Sequence, residues 1–394
     1  MLAAIAAAER GERVAILEGN RQLGRKILVS GNGRCNLTNV EADRPDHYHS
    51  RTPDFAKPAL AAFPFQQTVR FFAGLGIVTR QERRGRLFPL SDQAQAVVDV
   101  LQDRLQELGV VIAGGSKVRS LERSTHFRAV TQSGELWDAD RVILASGGCS
   151  LPKLGADRSG MDLAARLGHT VTPLLPGLVP LESPDPHVQR MQGVRLLAQV
   201  RARLSPRRAV VDTDDLLFTA YGVSGLAVLN LSAQLVPLFS RGPLDLEVNL
   251  FPGESPERIS QRLKERWAMN PHRPLAASFA GLLSSKLVGP FLDRFGFDRE
   301  QRAETIPKGE RWRLAQALTA WPIRVTGPRS FEFAEVTIGG VDTREVDPRT
   351  LESRIVPGLY FAGEMLDIHG DLGGYNFQWA WSSGRLAGER AAAR

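Results

Sequence analysis

Pro357-Gly-Leu-Tyr-Phe-Ala-Gly-Glu364, continuing into Met365-Leu-Asp-Ile-His-Gly-Asp-Leu-Gly-Gly-Tyr-Asn-Phe-Gln-Trp-Ala-Trp-Ser-Ser-Gly384, is the stretch whose reading decides the fold. Leu359 to Ala362 is a short apolar run opened by Pro-Gly and closed by Gly363. That pattern suits a buried strand whose carboxyl end meets a ligand crevice. The carboxylate of Glu364 stands at the strand end. A loop with five glycines or acids follows and ends in Gly373-Gly374. A helix is expected from Tyr375, where Ala380, Ser382, Ser383 and Gly384 allow close packing. Backbone N–H groups at Gly374, Tyr375 and Asn376, at the start of that helix, point toward something electron-rich. Gly-Gly alone is equally well explained by a turn without a ligand. Strand, acid, double glycine and small-residue helix together are harder to explain by packing.

The opposite end of the chain supplies the complement. Met1 to Arg10 is alanine-rich and helix-favouring, Gly11 is a plausible C-cap, and Arg13-Val-Ala-Ile-Leu-Glu18 reads as a buried parallel strand ending in an acid. This is the second half of a βαβ unit. In a dinucleotide-binding fold a glycine-rich loop precedes such a helix, and the acid after the second strand binds ribose hydroxyls. Glu18 fits that acid, although a solvated strand-end carboxylate accounts for it when it is taken alone. The glycine loop and first strand are expected upstream of Met1, so the chain reads as a shortened form.

Between these ends lies Leu23-Gly-Arg-Lys-Ile-Leu-Val-Ser-Gly-Asn-Gly-Arg-Cys-Asn-Leu-Thr-Asn39. Gly31 and Gly33 permit a tight turn with positive φ, in which consecutive N–H groups form an anion-binding concavity, and Arg25, Lys26 and Arg34 add positive charge. A flavin pyrophosphate suits it. By composition alone, an ordinary glycine turn with solvated bases is the simpler account. Residues 41 to 65 read as a loop with short helical pieces, with His47 and His49 as surface residues rather than ligands. Helical patterns follow over Thr68 to Gly76 and Gln93 to Leu108. Short strands from Val110 to Ala139 then lead into the apolar run Arg141-Val-Ile-Leu-Ala-Ser-Gly-Gly148.

Three of these strings, 31 to 39, 145 to 155 and 360 to 380, resemble in order and spacing the BaiN/RdsA-type NAD(P)/FAD-dependent oxidoreductases, also labelled aminoacetone-oxidase-type flavoproteins. The resemblance implies a glutathione-reductase-type, FAD-binding Rossmann-like α/β domain. It implies that Glu364 faces the ribityl chain, with Gly363 beside it in the cofactor site, and that the turn from Gly373 through Gly374, Tyr375 and Asn376 to Gln378 faces the flavin ring. The Val118 backbone would meet the adenine, and Ala145, Gly147 and Gly148 would lie along the dinucleotide. The family motif around Gly31 to Asn36 brings in Cys35, with Arg34 and Asn36 reaching the ring or the substrate. The sequence departs from the family at Asn32, which replaces a glycine, and at Ala220 and Leu226, where the family carries His and Pro. No acid/base role of that histidine transfers, and no catalytic residue is readable.

Prolines at 173, 176, 180, 184 and 186 mark a linker. The expected organisation is a first part of the FAD-binding domain over 1–184 and an inserted substrate or cap domain over 185–330. That insert reads as β-rich over 190–250 and helical over 255–320, and residues 331–394 return to complete the cofactor domain. Ser255-Pro256-Glu257 is a helix start with an N-cap, an N1 proline and a first-turn acid.

Composition bounds the remaining choices. Two cysteines, Cys35 and Cys149, with no CxxC or Cys/His spacing, argue against a disulfide framework or a metal site and favour a reducing cytoplasm. A net charge of +7 and a pI near 9.8 suggest nucleic acid or an acidic membrane surface, but the basic residues are dispersed among acids, which weakens both. No run of ~18 apolar residues is present for a membrane span. The expected activity is FAD-dependent hydride transfer to a small organic substrate. No second glycine-rich strand-helix loop holds a nicotinamide nucleotide, so NAD(P)H is expected to visit only transiently. The alternatives are a flavoprotein-fold RNA-binding or tRNA-modifying protein and a shortened form that no longer binds FAD tightly.

Overall fold

The computed structural model describes residues 1–393 and divides into two compact units, Pro176–Ala334 and the remainder of the chain on either side of it. In the remainder, Ala15–Glu18 pairs in parallel with Val111–Gly114, and Val142–Leu144 pairs in parallel with Leu359–Phe361. Leu359, Tyr360 and Phe361 are buried as their apolar run demands. The first pair differs from expectation, since Ala15 is exposed and Ile16 to Glu18 are half-buried. The reason is that Ala15–Glu18 has a hydrogen-bonded neighbour on one side only. Val118–Arg123, Phe127–Thr131 and Leu136–Ala139 form the expected antiparallel meander.

The long helix Tyr375–Ala392 is the frame of this unit. Its small residues let the helix Leu2–Ala8 lie directly against it: a Cβ on Gly388 would collide with the Ala3 carbonyl, whereas one on Gly384 would make ordinary contacts at 3.5 Å. Two indoles tie the helix to neighbouring backbone, Trp379 Nε1 donating to the Gly363 carbonyl at 3.0 Å and Trp381 Nε1 to that of Leu37 at 2.9 Å. A buried indole N–H without such an acceptor would be costly. The helix Ala94–Glu107 buries Val97, Leu101 and Leu105 completely, as their spacing predicts.

The 41–65 region contains a strand not visible in the sequence. Tyr48–Ser50 pairs antiparallel with Ile368–Gly370, setting His49 opposite His369. Three residues are too few to show alternation, and the partner is more than 300 residues away, so no local signal announces the pairing.

The unit Pro176–Ala334 is built on an antiparallel sheet running Trp321–Val325, Leu244–Asn249, Arg195–Ser205, Arg208–Thr219, Gly222–Ser224, Leu181–Glu182 and Gly327–Pro328. Leu226–Leu235, expected within a run of strands, is a helix. Gly225, at φ 93°, ends the preceding strand, and Leu-Ala-Val-Leu-Asn-Leu lacks alternation and favours helix. Phe218 stacks on Trp321 with centroids 5.5 Å apart, and Phe291 meets Trp321 edge-on at 5.3 Å, which anchors the core. Ser255 caps the helix Pro256–Met269 by accepting from the Arg258 N–H at 3.4 Å. The apolar residues from 275 to 287 form two helices, Leu275–Ser278 and Ser285–Arg294, separated around Gly281 at φ 82°.

The two glycines of the long helix predict opposite responses to one substitution. Gly384→Ala should be neutral or stabilising by up to ~1 kcal/mol through helix propensity. Gly388→Ala should destabilise by about 1–3 kcal/mol, because the added methyl has no room against Ala3. Urea unfolding midpoints compare them, and equal midpoints would refute the assigned helix contact.

Candidate functional site

The convergence of distant strings is carried by Lys26, Ser150 and Glu364. Lys26 Nζ donates to Glu364 Oε2 at 2.5 Å and to Ser150 Oγ at 2.7 Å, and Ser150 Oγ donates to Glu364 Oε1 at 3.2 Å. The Thr337 N–H donates to the same Oε1 at 2.7 Å. Thr337 Oγ1 in turn accepts from the backbone of Cys149 at 2.8 Å and Ser150 at 3.2 Å. This fixes the chain just beyond the Gly147-Gly148 strand exit. A side chain on Gly148 would strike Thr337 and come within 2.8 Å of Glu364, so the backbone approaches the carboxylate as closely as only glycine permits.

A second set of contacts joins the end of the first strand to the same exit loop. Glu18 Oε1 accepts from the Asn20 N–H at 2.8 Å and from Asn20 Nδ2 at 3.0 Å. Asn20 Nδ2 also donates to the Leu154 carbonyl at 3.2 Å, and Arg25 donates to Asn20 Oδ1 at 2.8 Å. Val118 opens its strand opposite Thr131.

The glycine string adopts the backbone its composition permits. Gly31, Asn32 and Gly33 have φ of 57°, 58° and 82°, three consecutive left-handed residues. Several side chains of this motif are already committed. Arg34 bonds Glu82 at 2.9 Å and lies 4.2 Å over the Phe88 ring. Cys35, itself at φ 62°, is fully buried, and burial pushes its thiol up to about 12 despite an opposing hydrogen bond from Ser30. Cys35 therefore supports the turn and has no surface to offer a ligand. Asn36 accepts from the Gly374 N–H at 3.0 Å and donates to the Thr38 carbonyl at 3.2 Å when its amide is oriented to satisfy both.

That bond brings the glycine string to the Gly373-Gly374 turn, at φ 127° and 103°. Asn39 Nδ2 adds a bond to the Gly373 carbonyl at 2.9 Å. A Cβ on Gly374 would come within 2.5 Å of Thr38 backbone, so the double glycine serves a close crossing of two loops. Four residues expected to face the ring, Gly374, Tyr375, Asn376 and Gln378, make contacts within the protein. The Gly374 N–H is taken by Asn36, and the Asn376 side chain closes its own loop through the Gly370 N–H at 2.7 Å and the Gly370 carbonyl at 2.9 Å. Gln378 is wholly buried: it accepts from Thr38 Oγ1 at 2.6 Å and donates to the Phe63 carbonyl and Ser382 Oγ, both at 2.9 Å. Tyr375 is buried with its ring stacked 4.3 Å from that of His47. With their polar groups satisfied internally, the Asn376 and Gln378 side chains hold the turn in shape.

Sequence reasoning missed a cluster beside this turn. Asp371 accepts from His47 Nδ1 at 2.9 Å and from His49 Nε2 at 2.7 Å. Burial tends to raise its pKa, yet the hydrogen bonds from His47 and His49 hold it at about 2. Both histidines had been expected as simple surface residues. The sequence signal was the single His-x-His spacing at His47 and His49, and among the described residues no cluster suited to a metal ion occurs.

The residues present fit a dinucleotide flavin in three respects: a left-handed glycine cradle, a glycine-lined strand exit, and strand-end carboxylates at Glu18 and Glu364. At Gly147, with φ 80°, an added Cβ would meet nothing within 4 Å, which leaves an open approach to the backbone. No helix among the described residues is long and apolar enough to cross a membrane.

A family model described as HI0933-like protein Rossmann domain matches residues 1–390. The chain is 37% identical to a 3-dehydro-bile acid delta(4,6)-reductase of Clostridium scindens, with 100% of this chain and 97% of that protein covered. It is 35% identical to a ribosomal RNA dihydrouridine synthase of Escherichia coli, covering 97% and 93%, and 34% identical to one of Haemophilus influenzae, covering 95% and 92%.

The thiols provide a direct check on the cradle. With Cys35 buried and its thiol near 12, the thiolate fraction at pH 8 is on the order of 10⁻⁴. Ellman's reagent at pH 8 should modify Cys149 slowly in the native protein and both thiols in denaturant, and Cys35→Ser should leave the native count unchanged. Rapid modification of two thiols in the native state contradicts the packing.

Proposed function

Since this chain belongs to the HI0933-like family of flavoprotein oxidoreductases and is an FAD-dependent oxidoreductase, we propose that it reduces a carbon–carbon double bond conjugated to a carbonyl. The observation that carries the reading is the meeting of the 25–39, 145–155 and 363–376 strings around Lys26, Ser150, Glu364 and Asn36. The chemistry comes from the relatives: a delta(4,6)-reductase and a dihydrouridine synthase both name the saturation of a double bond, and in both named molecules a carbonyl is conjugated to it. One flavin reaction serves both.

Bound FAD supplies the hydride, with NAD(P)H as the upstream donor. Glu18, whose second oxygen is free of Asn20, is suited to accept from the ribose diol of the adenosine end. The turn from Gly31 to Gly33 and the exit at Gly147-Gly148 offer backbone to the diphosphate. Glu364, braced by Lys26 and Thr337, is suited to the ribityl hydroxyls. The crossing of Gly374 over Thr38 sets the height of the floor on which a ring would lie. The unit Pro176–Ala334 is the proposed carrier of substrate contacts, corresponding to the inserted domain.

A second reading, RNA as substrate, has one observation in its favour. The hairpin Arg83-Arg-Gly-Arg86 is tied to the turn, because Asn39 Nδ2 donates both to the Arg84 carbonyl at 2.9 Å and to the Gly373 carbonyl. Phosphate contacts by such a hairpin would give binding that falls steeply with salt.

Two measurements test these assignments. Glu18→Ala should weaken FAD by about 1.5–3 kcal/mol and FMN far less, because only FAD carries the adenosine ribose diol; unchanged FAD affinity by titration removes Glu18 from the site. In anaerobic stopped flow, NADH or NADPH should bleach the flavin, and the reduced protein should then be reoxidised by a 3-oxo-4,6-diene steroid or by uridine-containing ribosomal RNA. Reoxidation by neither compound rejects the proposed reaction, and reoxidation by RNA alone with a steep salt dependence selects the second reading.

A further inference from the structure

Saturating a conjugated double bond needs a proton as well as a hydride, and none of the residues assigned above supplies one. We propose that His49, oriented by Asp371, is the general acid that gives this proton, with His47 as a second imidazole on the same carboxylate. The inference rests on the reading of the protein as a reductase of conjugated double bonds.

The geometry is that of an oriented imidazole. An ionised carboxylate only accepts hydrogen bonds, so the hydrogen at His49 Nε2 points at Asp371 Oδ1, 2.7 Å away, and Nδ1 is the outward atom. His49 Nδ1 has no partner among the described residues and is not enclosed, the side chain being 35% exposed. A protonated ring held this way presents one N–H to a substrate while the other is fixed by the carboxylate, an arrangement that sets its direction. His47 repeats the contact at the other carboxylate oxygen, 2.9 Å away, and its remaining nitrogen lies 3.4 Å from the Tyr375 hydroxyl. The His47 carbonyl also accepts from the Asp371 N–H at 2.9 Å. The dyad thus sits on the residue pair that leads into Gly373-Gly374, the turn proposed to underlie the flavin ring.

The surrounding charges are consistent with this role. His369, paired with His49 across the two strands, is 93% buried with its Nδ1 unpartnered, and its ring centroid lies 5.2 Å from that of His49. Burial, with His49 adding to it, lowers its pKa to about 4, so it stays neutral and does not compete for the proton. Tyr48 donates to the Ala42 carbonyl, and the remaining charges nearby, Glu41, Arg44 and Asp46, pair with one another. Asp43 accepts from the Phe65 N–H. Asp371 is therefore the one carboxylate that contacts the imidazoles directly.

The step balances. The π bond breaks as hydride from the reduced flavin, generated by NAD(P)H, adds to the carbon β to the carbonyl. The enolate formed takes the His49 Nδ1 proton at its α carbon, the flavin ends oxidised, and the neutral imidazole regains a proton from solvent.

The test separates the acid from the flavin. His49→Gln, Asp371→Asn and wild-type protein are loaded with FAD, reduced anaerobically, and mixed with molecular oxygen or with the substrate that reoxidises the wild type. Oxygen requires no carbon protonation, so its rate should change less than about 3-fold, whereas reoxidation by substrate should fall by roughly 10²–10⁴-fold in His49→Gln. The pH profile of substrate reoxidation should lose one limb in His49→Gln, a limb that the oxygen reaction does not show in any of the three proteins. Independent of turnover, imidazole N–H resonances in the oxidised protein should show the His49 Nε2 proton held against exchange by Asp371 in wild type and lost in Asp371→Asn. Substrate reoxidation within 3-fold of wild type in His49→Gln, or equal losses with oxygen and substrate, overturns the assignment. A wild-type flavin that reduces normally but is reoxidised by no conjugated carbonyl compound overturns the underlying reading, and the acid falls with it.

Discussion

A carboxylate drawn into a protein must be met by donors, and Glu364 meets this constraint with groups from three distant parts of the chain. Lys26 reaches it from the glycine string, Ser150 from beyond the strand Val142–Leu144, and the Thr337 N–H from the segment that rejoins the first unit. Satisfying one acid therefore fixes the relative positions of every string that defines the candidate cofactor site. The contact between Gly148 and the same carboxylate leaves no slack, since even a methyl group would displace it. Partial exposure of the pair keeps its net contribution to stability modest, so its importance is positional.

The glycines of the closing motif act in the same way, as distances rather than as flexible points. Gly374 allows a loop crossing, and Gly388 allows two helices to touch backbone to backbone. The crossing places the start of the long helix under the turn, and the helix contact holds the other end. Gln378, with no exposed atom, links the two by joining Thr38, Phe63 and Ser382. Residues of a motif that resembles a ligand-contacting string thus also hold that string in shape.

This division explains what was legible in the sequence. Backbone-determined features were: the buried strand at Leu359–Phe361, the left-handed turn at Gly31 to Gly33, the Ser255 cap and the amphipathic Ala94–Glu107 helix all follow from local composition. Side-chain destinations were not. Nothing near Asn376 or Gln378 distinguishes an amide that faces a ligand from one that braces a loop, because the decision lies with Gly370 and with Thr38 and Phe63. Asp371 and the two histidines were invisible for the same reason, since their contact depends on a three-residue strand pairing across the chain. The helix Leu226–Leu235 was misread as strand because its neighbours on both sides are strands.

Reduced flavins left in air hand electrons to oxygen and release peroxide, so a thiol beside one lives next to a source of oxidant. Peroxide attacks thiolate far faster than thiol, and the first product, a sulfenic acid, is larger and polar. Cys35 sits in the motif that would cradle the cofactor, in a left-handed turn with no room for an added oxygen. Burial keeps it protonated and out of reach. A motif cysteine packed in this manner allows the protein to leak electrons to oxygen without corroding the turn on which its cofactor depends.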